Sequence, residues 1–517
     1  MSDNISFLAA IEVGSHEVIL KICQIDTDGE ITEVESVSRT INLGSDCYRF
    51  GYITNENIHL LISTLEEYKQ IVKTYPDVNV IIAATSAIRD ASNRIFIVDQ
   101  IFRQTEFQIE ILSNREEIAE MIRAVIIKMP EFSELSQEAT LLLDIGAGST
   151  QLTLFNKKKF IFTQNILLGS LRVRDRLSVL EQHTIDFLTL MQEYISGDLD
   201  YYRSFVPVKI DYQNFILVGN LMQTWRYLAE LPMYGTVFLS RKKFEQLFSV
   251  ITNTSTITLI EHFDISEEQA SLLLPMSMVL KEVFELTKLE KVVIPDITLA
   301  DGLIVRLAEK LKYRKADPHI DNYTIDFARE IAKRHYTDLH HIRQVENLAL
   351  NLFDQFKKMH GLSKRERFLL QIAAILHNIG KFFTIKQDGE VAYQLIKSSD
   401  LVGLSDQEIE LVALLVKYHS SITSDFNLEN SRISDQENLK LIKLSVLLSL
   451  ANALDTGHKM KVKDLKVEIR KKHVKLFLAS NEDLTLESWS FQRPAQFFNN
   501  IFGKEIRLNI IPSLDEN

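Results

Sequence analysis

The chain has 517 residues, of which 46% are hydrophobic, and its formal net charge is −12. A chain of this length buries several hydrophobic cores, so we expect two to four domains, and its acidic charge argues against general nucleic-acid binding. Cys23 and Cys47 are the only cysteines, which excludes a disulfide framework and is typical of a reducing compartment.

At the N-terminus, no basic region precedes the first apolar run, so the sequence does not predict a signal peptide. No apolar stretch of the chain is long enough to span a bilayer. We therefore expect a cytoplasmic protein with no membrane partner.

The first 310 residues repeat one α/β pattern. Short apolar runs bounded by turn residues predict strands, and apolar residues at three- and four-residue spacing predict helices. The strands are predicted at 7–13, 18–25, 78–83, 140–145, 151–155 and 215–218, and helices at 58–75 and 303–311.

After a linker predicted at Asp317-Pro318, the predicted secondary structure changes from alternating strands and helices to helices alone. Residues 323–454 carry helical periodicity throughout, and residues 461–511 alternate apolar and polar positions, which predicts a tail that contains strands. The predicted domains are two α/β domains, a helical domain and a small α+β domain, at residues 1–125, 126–312, 313–458 and 459–517.

Two glycine turns share a carboxylate placed two residues before a glycine. The first is Glu12-Val13-Gly14-Ser15, and the second is Asp144-Ile145-Gly146-Ala147-Gly148-Ser149. Each turn follows an apolar run and brings backbone N–H groups and a carboxylate together, which suits a phosphate and its divalent cation. Two such turns that face each other across a cleft would hold a phosphate chain from both sides.

A candidate catalytic residue follows a predicted helix start at Ser113. Ser113 and Glu116 have the spacing of a capping box, so Glu116 has a structural task. Glu117 lies about 100° further around the helix and is free to face another direction as a proton acceptor. The alternative is that Glu117 is one more acid in a first helical turn, where acids are common.

Two further residues are candidate phosphate ligands. Arg89 follows the strand predicted at 78–83 and lies at the start of a predicted helix, where it could bind phosphate oxygens. The alternative is a solvent-exposed ion pair between Arg89 and Asp90. Gly219 follows the strand predicted at 215–218, a position suited to anion contact.

The order of these motifs resembles the exopolyphosphatase / guanosine pentaphosphate phosphohydrolase (Ppx/GppA) phosphatase family. The resemblance covers nearly the whole chain and rests on five ordered blocks, at Glu12–His16, Thr85–Arg89, Ser113–Ile118, Asp144–Gln151 and Leu299–Leu303.

The resemblance implies a fold and an activity. The fold is α/β, with two domains of the actin-like ATPase and sugar-kinase (ribonuclease H-like) type, followed by an all-α HD-like domain and a small α+β tail. The activity is hydrolysis of terminal phosphate from inorganic polyphosphate, with guanosine pentaphosphate as a further substrate, and the family suggests a homodimer.

The resemblance also implies roles for single residues. Glu117 would be the general base, and Asp144 and Glu12 would hold Mg²⁺ or Mn²⁺. The implied phosphate ligands are Gly14, Ser15, Arg89, Gly146, Gly148, Ser149 and Gly219.

The chain departs from the family pattern at several site positions. Glu12 replaces an aspartate, His16 an asparagine, and Asn114 also deviates. Ala147 replaces a glycine, which restricts a loop that needs positive φ angles. Gln151 replaces a glutamate, and the lost charge should lower metal affinity.

These departures leave alternatives open. One is a sensor that binds polyphosphate or an alarmone through a degraded site without hydrolysing it. Another is a kinase or ATPase of the same fold, which the motif around Glu117 disfavours.

The helical region resembles an HD metal-phosphohydrolase domain. Its histidines are His341, His377 and His419, but Asn378 and Asn452 occupy the two aspartate positions. Uncharged amide oxygens bind transition metals poorly, so the resemblance implies a structural, metal-free domain.

Overall fold

The structure is a computed structural model that describes residues 6–181, 183–205, 210–219, 222–335, 337–384, 386–419 and 434–513. Asn220 and Leu221, which follow the candidate ligand Gly219, lie outside the described residues. Internal contacts divide the chain into two compact units, Met1–Ile320 and Asp321–Asn517. The finer division into four domains stays a prediction. Among the described helices, none combines the length and hydrophobicity that a bilayer crossing requires.

The first unit contains two sheets and the helices that cover them. Its strands are β1 Ser6–Val13, β2 Glu17–Ile25, β3 Ile31–Thr40, β4 Asn79–Ala84, β5 Glu110–Ile111, β6 Thr140–Ile145, β7 Thr150–Asn156, β8 Lys159–Ile166, β9 Asn214–Val218, β10 Val237–Ser240 and β11 Lys291–Ile294. Its helices are α1 Leu43–Phe50, α2 Asn55–Val72, α3 Ser86–Asp90, α4 Arg94–Thr105, α5 Asn114–Lys128, α6 Phe132–Leu135, α7 Ser170–Glu181, α8 Phe187–Phe205, α9 Met222–Leu228, α10 Arg241–Asn253, α11 Thr256–Phe263, α12 Glu267–Thr287 and α13 Leu299–Lys310. Each strand predicted from the sequence is confirmed to within one residue at either end.

The two sheets repeat one topology. The first has the order β3-β2-β1-β4-β5, in which β1 to β3 are antiparallel and β4 and β5 run parallel to β1. The second has the order β10-β11-β9-β6-β7-β8, in which β6 to β8 are antiparallel and β9 and β11 are parallel to β6. This duplicated order is that of the ribonuclease H-like fold of actin-like ATPases and sugar kinases, and it confirms the predicted fold class.

Helix α13 joins the first sheet to the helix that carries Glu117. It packs against α5, β1 and β2. Asp301 of α13 is buried and accepts from Lys21 of β2 and Lys128 of α5, both at 2.8 Å. A Cβ on Gly302 would lie 1.9 Å from the carbonyl oxygen of Glu120 in α5, so a glycine is required where the two helices cross. This close packing fixes α5 relative to the sheet.

The second unit is largely helical and ends in a small sheet. Its helices, from the unit boundary onward, are α14 His319–Arg334, α15 Leu339–Gln355, α16 Lys357–His360, α17 Lys364–Leu376, α18 Asp388–Ser398, α19 Asp406–Tyr418, α20 Asp435–Ala453 and α21 Thr485–Phe502. Its strands are β12 Asp464–Ile469, β13 His473–Ala479 and β14 Glu505–Ile511, in the order β12-β13-β14, and α21 packs on α20 and β14.

Candidate active site

A crevice in the first unit collects nearly all of the site residues predicted from the sequence. It lies where the β1–β2 turn, the β6–β7 turn, the first turn of α5 and the end of β9 meet. The predicted residues that line it are Glu12, Gly14, Ser15, Glu117, Asp144, Gly146, Gly148, Ser149 and Gly219. Arg89 is not among its lining residues.

The two turns close with the same backbone hydrogen bond. The N–H of Gly14 donates to the carbonyl oxygen of Glu17 at 2.9 Å, and that of Gly146 donates to the carbonyl oxygen of Ser149 at 2.9 Å. The N–H groups of these two glycines therefore shape the turns, and the donors for an anion must come from the residues that follow them.

The carbonyl groups of the second turn face α7. Gly146 O and Ala147 O accept from the N–H groups of Ser170 and Leu171, and Gly148 O accepts from Arg172 Nε at 2.7 Å. A trans peptide places its N–H opposite its C=O, so the N–H groups beyond these carbonyls point away from α7. In the part of the chain that the structure describes, no hydrogen bond engages the N–H of Ala147 or Gly148. The turn therefore offers consecutive donors for phosphate oxygens.

The first turn is held in a similar way. The carbonyl oxygens of Ser15 and His16 accept from Gly44 and Ile41 at 2.7 and 2.9 Å. The Ser15 hydroxyl lies 2.8 Å from the Ser86 hydroxyl. Helix α3 has no side-chain cap, and the Ser86 hydroxyl bonds to Ser15 instead.

The two turns approach each other at Gly148. A Cβ there would lie 2.1 Å from the Tyr48 hydroxyl and 2.2 Å from Ser86 Oγ. Tyr48 also contacts Ser15 at 2.8 Å, and Arg172 lies 4.0 Å above its ring. The glycine of the second turn is therefore needed to let it contact the hydroxyl groups around the first.

Gly148→Ala should remove most activity and lower the free energy of unfolding by about 1–3 kcal/mol, because the added methyl group overlaps two fixed hydroxyl groups. Gly197→Ala is the matched control, since nothing lies within 4 Å of the Cβ it would add. Phosphatase assays and denaturant unfolding measure both effects. Full activity and stability in the Gly148 variant would contradict this packing.

Positions 147 and 219 differ in backbone conformation. Ala147 is not among the residues with positive φ, so its Cβ causes no backbone strain and the expectation of a restricted loop is wrong. Gly219, by contrast, has φ +118°, and a Cβ there would lie 2.9 Å from Asp144 Oδ1. A glycine at 219 therefore lets β9 end directly beside the Asp144 carboxylate.

Glu117 projects from the capped start of α5. The predicted capping box is confirmed, since Ser113 and Glu116 bond to each other's backbone N–H. The Glu117 side chain is 25% exposed, and its Oε2 accepts from Arg89 at 2.8 Å. Arg89 also donates to the carbonyl oxygen of Leu112 at 2.7 Å, so the guanidinium fixes the carboxylate to the backbone before α5. A phosphate-binding role for Arg89 stays a prediction.

The pKa of Asp144, an acid of the crevice, is strongly raised. Burial, together with the negative charge of Glu117, raises the pKa of Asp144 from 3.8 to about 7. Glu12 is 5% exposed and lines the same crevice, as does Gln151, which pairs with Asp144 across the β6–β7 ladder. A divalent cation would offset this concentration of negative charge.

The donor set fits Mg²⁺ better than a transition metal. The crevice offers carboxylate and amide oxygens, which suit hard cations. Within the described residues, no group of three or more histidine, cysteine, aspartate or glutamate side chains is arranged to hold a metal ion. A cation here would therefore take part of its coordination from water and phosphate oxygens, as Mg²⁺ commonly does.

Three residues contribute to the crevice through contacts that the sequence did not predict. Tyr48 and Arg172 support the turns from α1 and α7, and Asn165 of β8 lines the inner wall. Gly169, which directly precedes α7, is the one local indication that this helix packs against the second turn. A Cβ at position 169 would lie 2.3 Å from Ala147 O. The other contacts join distant parts of the sequence and leave no local pattern.

Family models match most of the chain. The model of the Ppx/GppA phosphatase family matches residues 22–311, and that of Ppx/GppA phosphatase domain III matches residues 326–492. A curated relative, the bifunctional 3-dehydroquinate synthase/phosphatase of Fusobacterium nucleatum subsp. nucleatum, is 28% identical over 174 residues. The alignment covers 32% of this chain and 26% of that protein, so the chain spans about a quarter of the relative's length.

Solved structures resemble 60% of the chain. An exopolyphosphatase from Cytophaga hutchinsonii is 20% identical, with a TM-score of 0.52, over 60% of this chain and 99% of that chain. An exopolyphosphatase-like protein gives 20% identity and a TM-score of 0.53 over the same shares. At this identity the likeness shows the fold alone.

Proposed function

Because the chain belongs to the Ppx/GppA phosphatase family, we propose that it hydrolyses the terminal phosphoanhydride bond of inorganic polyphosphate. The observation that carries the proposal is one crevice in which Glu117 and Asp144 lie beside two glycine turns, the second of which has unused backbone donors. Guanosine pentaphosphate is a second proposed substrate, because it ends in the same phosphoanhydride group.

Binding would begin with the terminal phosphoryl group between the two turns. The N–H groups of Ala147 and Gly148 would donate to its oxygens. Asp144 and Glu12 would hold Mg²⁺ or Mn²⁺, whose charge, when bound, offsets that of the phosphoryl oxygens. Positioning and charge neutralisation supply most of the rate enhancement in phosphoryl transfer.

Glu117 would activate the attacking water. Arg89 engages Oε2, so Oε1 is the oxygen that accepts the water proton. As the water oxygen bonds to phosphorus, the bridging P–O bond breaks and the shortened chain leaves with the electron pair. A positioned base of this kind contributes about 10²–10⁴-fold in rate.

Arg89 is a positioning residue in this mechanism, and its replacement tests that role. Arg89→Gln should lower kcat by about 10²-fold with little change in KM, because Glu117 loses its fixed orientation. Arg103→Gln, which removes an exposed ion pair with Asp99, is the control and should behave like the native chain. A large rise in KM with unchanged kcat would instead assign Arg89 to phosphate binding.

The substrate class is tested by orthophosphate release from long-chain polyphosphate, guanosine pentaphosphate and ATP, each with Mg²⁺. We expect the first two to be hydrolysed much faster than ATP. Preferred ATP turnover, accompanied by phosphorylation of a sugar, would overturn the proposal in favour of a kinase of the same fold.

A further inference from the structure

A second cavity, of ≈ 520 Å³, lies within the second unit and shares no residue with the crevice. It is formed by His419, which directly follows α19, by the end of α20 and by the middle of α21. Its volume falls in the range of small-molecule sites, about 300–1,000 Å³. The residues that give it chemical character are His419, Asn452, Trp489, Ser490 and Arg493.

His419 supplies an unused acceptor. Its Nδ1 lies 2.6 Å from the carbonyl oxygen of Val416, which can only accept, so Nδ1 carries the proton. Burial lowers the pKa of His419 to about 4, so the ring is neutral at pH 7. Its Nε2 is buried and has no hydrogen-bond partner in the described part of the chain. A neutral ring with this tautomer offers Nε2 as a lone-pair acceptor.

The carbonyl group of Ser490 is a second acceptor, because of Pro494. It lies inside α21 and has no N–H, so the carbonyl group of Ser490, four residues earlier, lacks its helical donor. Both residues line the cavity. Two residues that line the cavity, His419 and Ser490, therefore each carry an acceptor that lacks a donor from the described part of the protein or from its own helix.

Trp489 and Arg493 stand one helical turn apart on α21 and both line the cavity. Trp489 is 69% exposed, which is unusual for so large an apolar side chain. Arg493 is exposed, and no ion pair engages it within the described residues. The cavity thus combines an aromatic plane with an available positive charge.

We propose that this cavity binds a nucleoside phosphate. The base would stack on Trp489 and donate its N–H groups to His419 Nε2 and the Ser490 carbonyl oxygen, while the phosphate contacts Arg493. Neither inorganic phosphate nor polyphosphate has a planar ring, so both would leave Trp489 unused, and polyphosphate in addition carries almost no donors for the acceptors at neutral pH.

The two tryptophans of the chain make the test specific. Trp225 is fully buried and Trp489 is exposed, so acrylamide quenches the fluorescence of Trp489 selectively. AMP or GMP should protect Trp489 from acrylamide, whereas ribose 5-phosphate and adenosine should bind at least tenfold more weakly. These monophosphates contain no phosphoanhydride bond, so the result does not depend on the proposed hydrolase activity.

Variants are compared by equilibrium dialysis of the nucleotide that protects Trp489. Trp489→Phe and Arg493→Gln should each weaken binding about tenfold or more, and Arg507→Gln, which removes an exposed, ion-paired charge from β14, should not. Circular dichroism confirms that each variant is folded. Failure of both AMP and GMP to protect Trp489, equal binding of ribose 5-phosphate, or equal affinity in all variants would each overturn the proposal.

Discussion

Replacing Glu117 by Gln should lower orthophosphate release from polyphosphate by about 10²–10⁴-fold. The amide keeps the size of the side chain and can still contact Arg89, but it cannot accept the water proton. Binding of the substrate depends on the turns and on the cation, so KM should change little. Steady-state kinetics with Mg²⁺ measure both parameters.

Glu116→Gln is the matched control for this experiment. The two residues are neighbours in the first turn of α5, but Glu116 closes the capping box with Ser113. Gln also supports a capping box, so this variant should keep its activity and lose little stability. Equal rates for the native chain and Glu117→Gln would remove Glu117 from the mechanism.

Asp144→Asn should strongly reduce the stimulation of phosphate release by Mg²⁺, because the crevice loses one of the two carboxylates proposed to hold the cation. The same substitution should stabilise the metal-free protein at alkaline pH. Asp99→Asn, on the exposed face of α4, is the control for both measurements and should have neither effect.

The stabilising effect follows from the raised pKa of Asp144. The unfolded chain loses this proton near pH 3.8, and the folded chain loses it near pH 7. Between these values the folded state binds more protons, so the free energy of unfolding falls as pH rises and is lowest above pH 7. Asn carries no such penalty, which amounts to about 4 kcal/mol at pH 8. Unfolding with a chelator at pH 4 and 8 measures this difference, and equal stability of the two proteins at pH 8 would contradict it.

The repeated fold could be predicted because its central strands are nearly continuous apolar runs. β1 and β6 are buried on both faces, so their signal does not depend on a partner strand. β3 could not be found in this way, since it lies at a sheet edge and exposes polar side chains along most of its length. The helix in the tail, α21, is interrupted by Pro494, which weakens its local pattern.

The candidate site could be predicted only where its chemistry is local. The glycine turns and the capping box before Glu117 are readable from residues a few positions apart. The bond between Arg89 and Glu117, and the packing of Gly148 against Tyr48, join residues that are distant in sequence and require the folded chain. For the same reason, the raised pKa of Asp144 could not be anticipated, because it depends on burial and on Glu117 nearby.

The most direct test of the central claim is the chain-length distribution of polyphosphate after incubation with the native protein and Mg²⁺, resolved by gel electrophoresis. We expect a progressive shortening of the chains, with orthophosphate as the only small product, because the crevice accepts one terminal phosphoryl group at a time. An unchanged distribution, under conditions in which the protein retains bound polyphosphate, would contradict hydrolysis and identify the crevice as a sensor site.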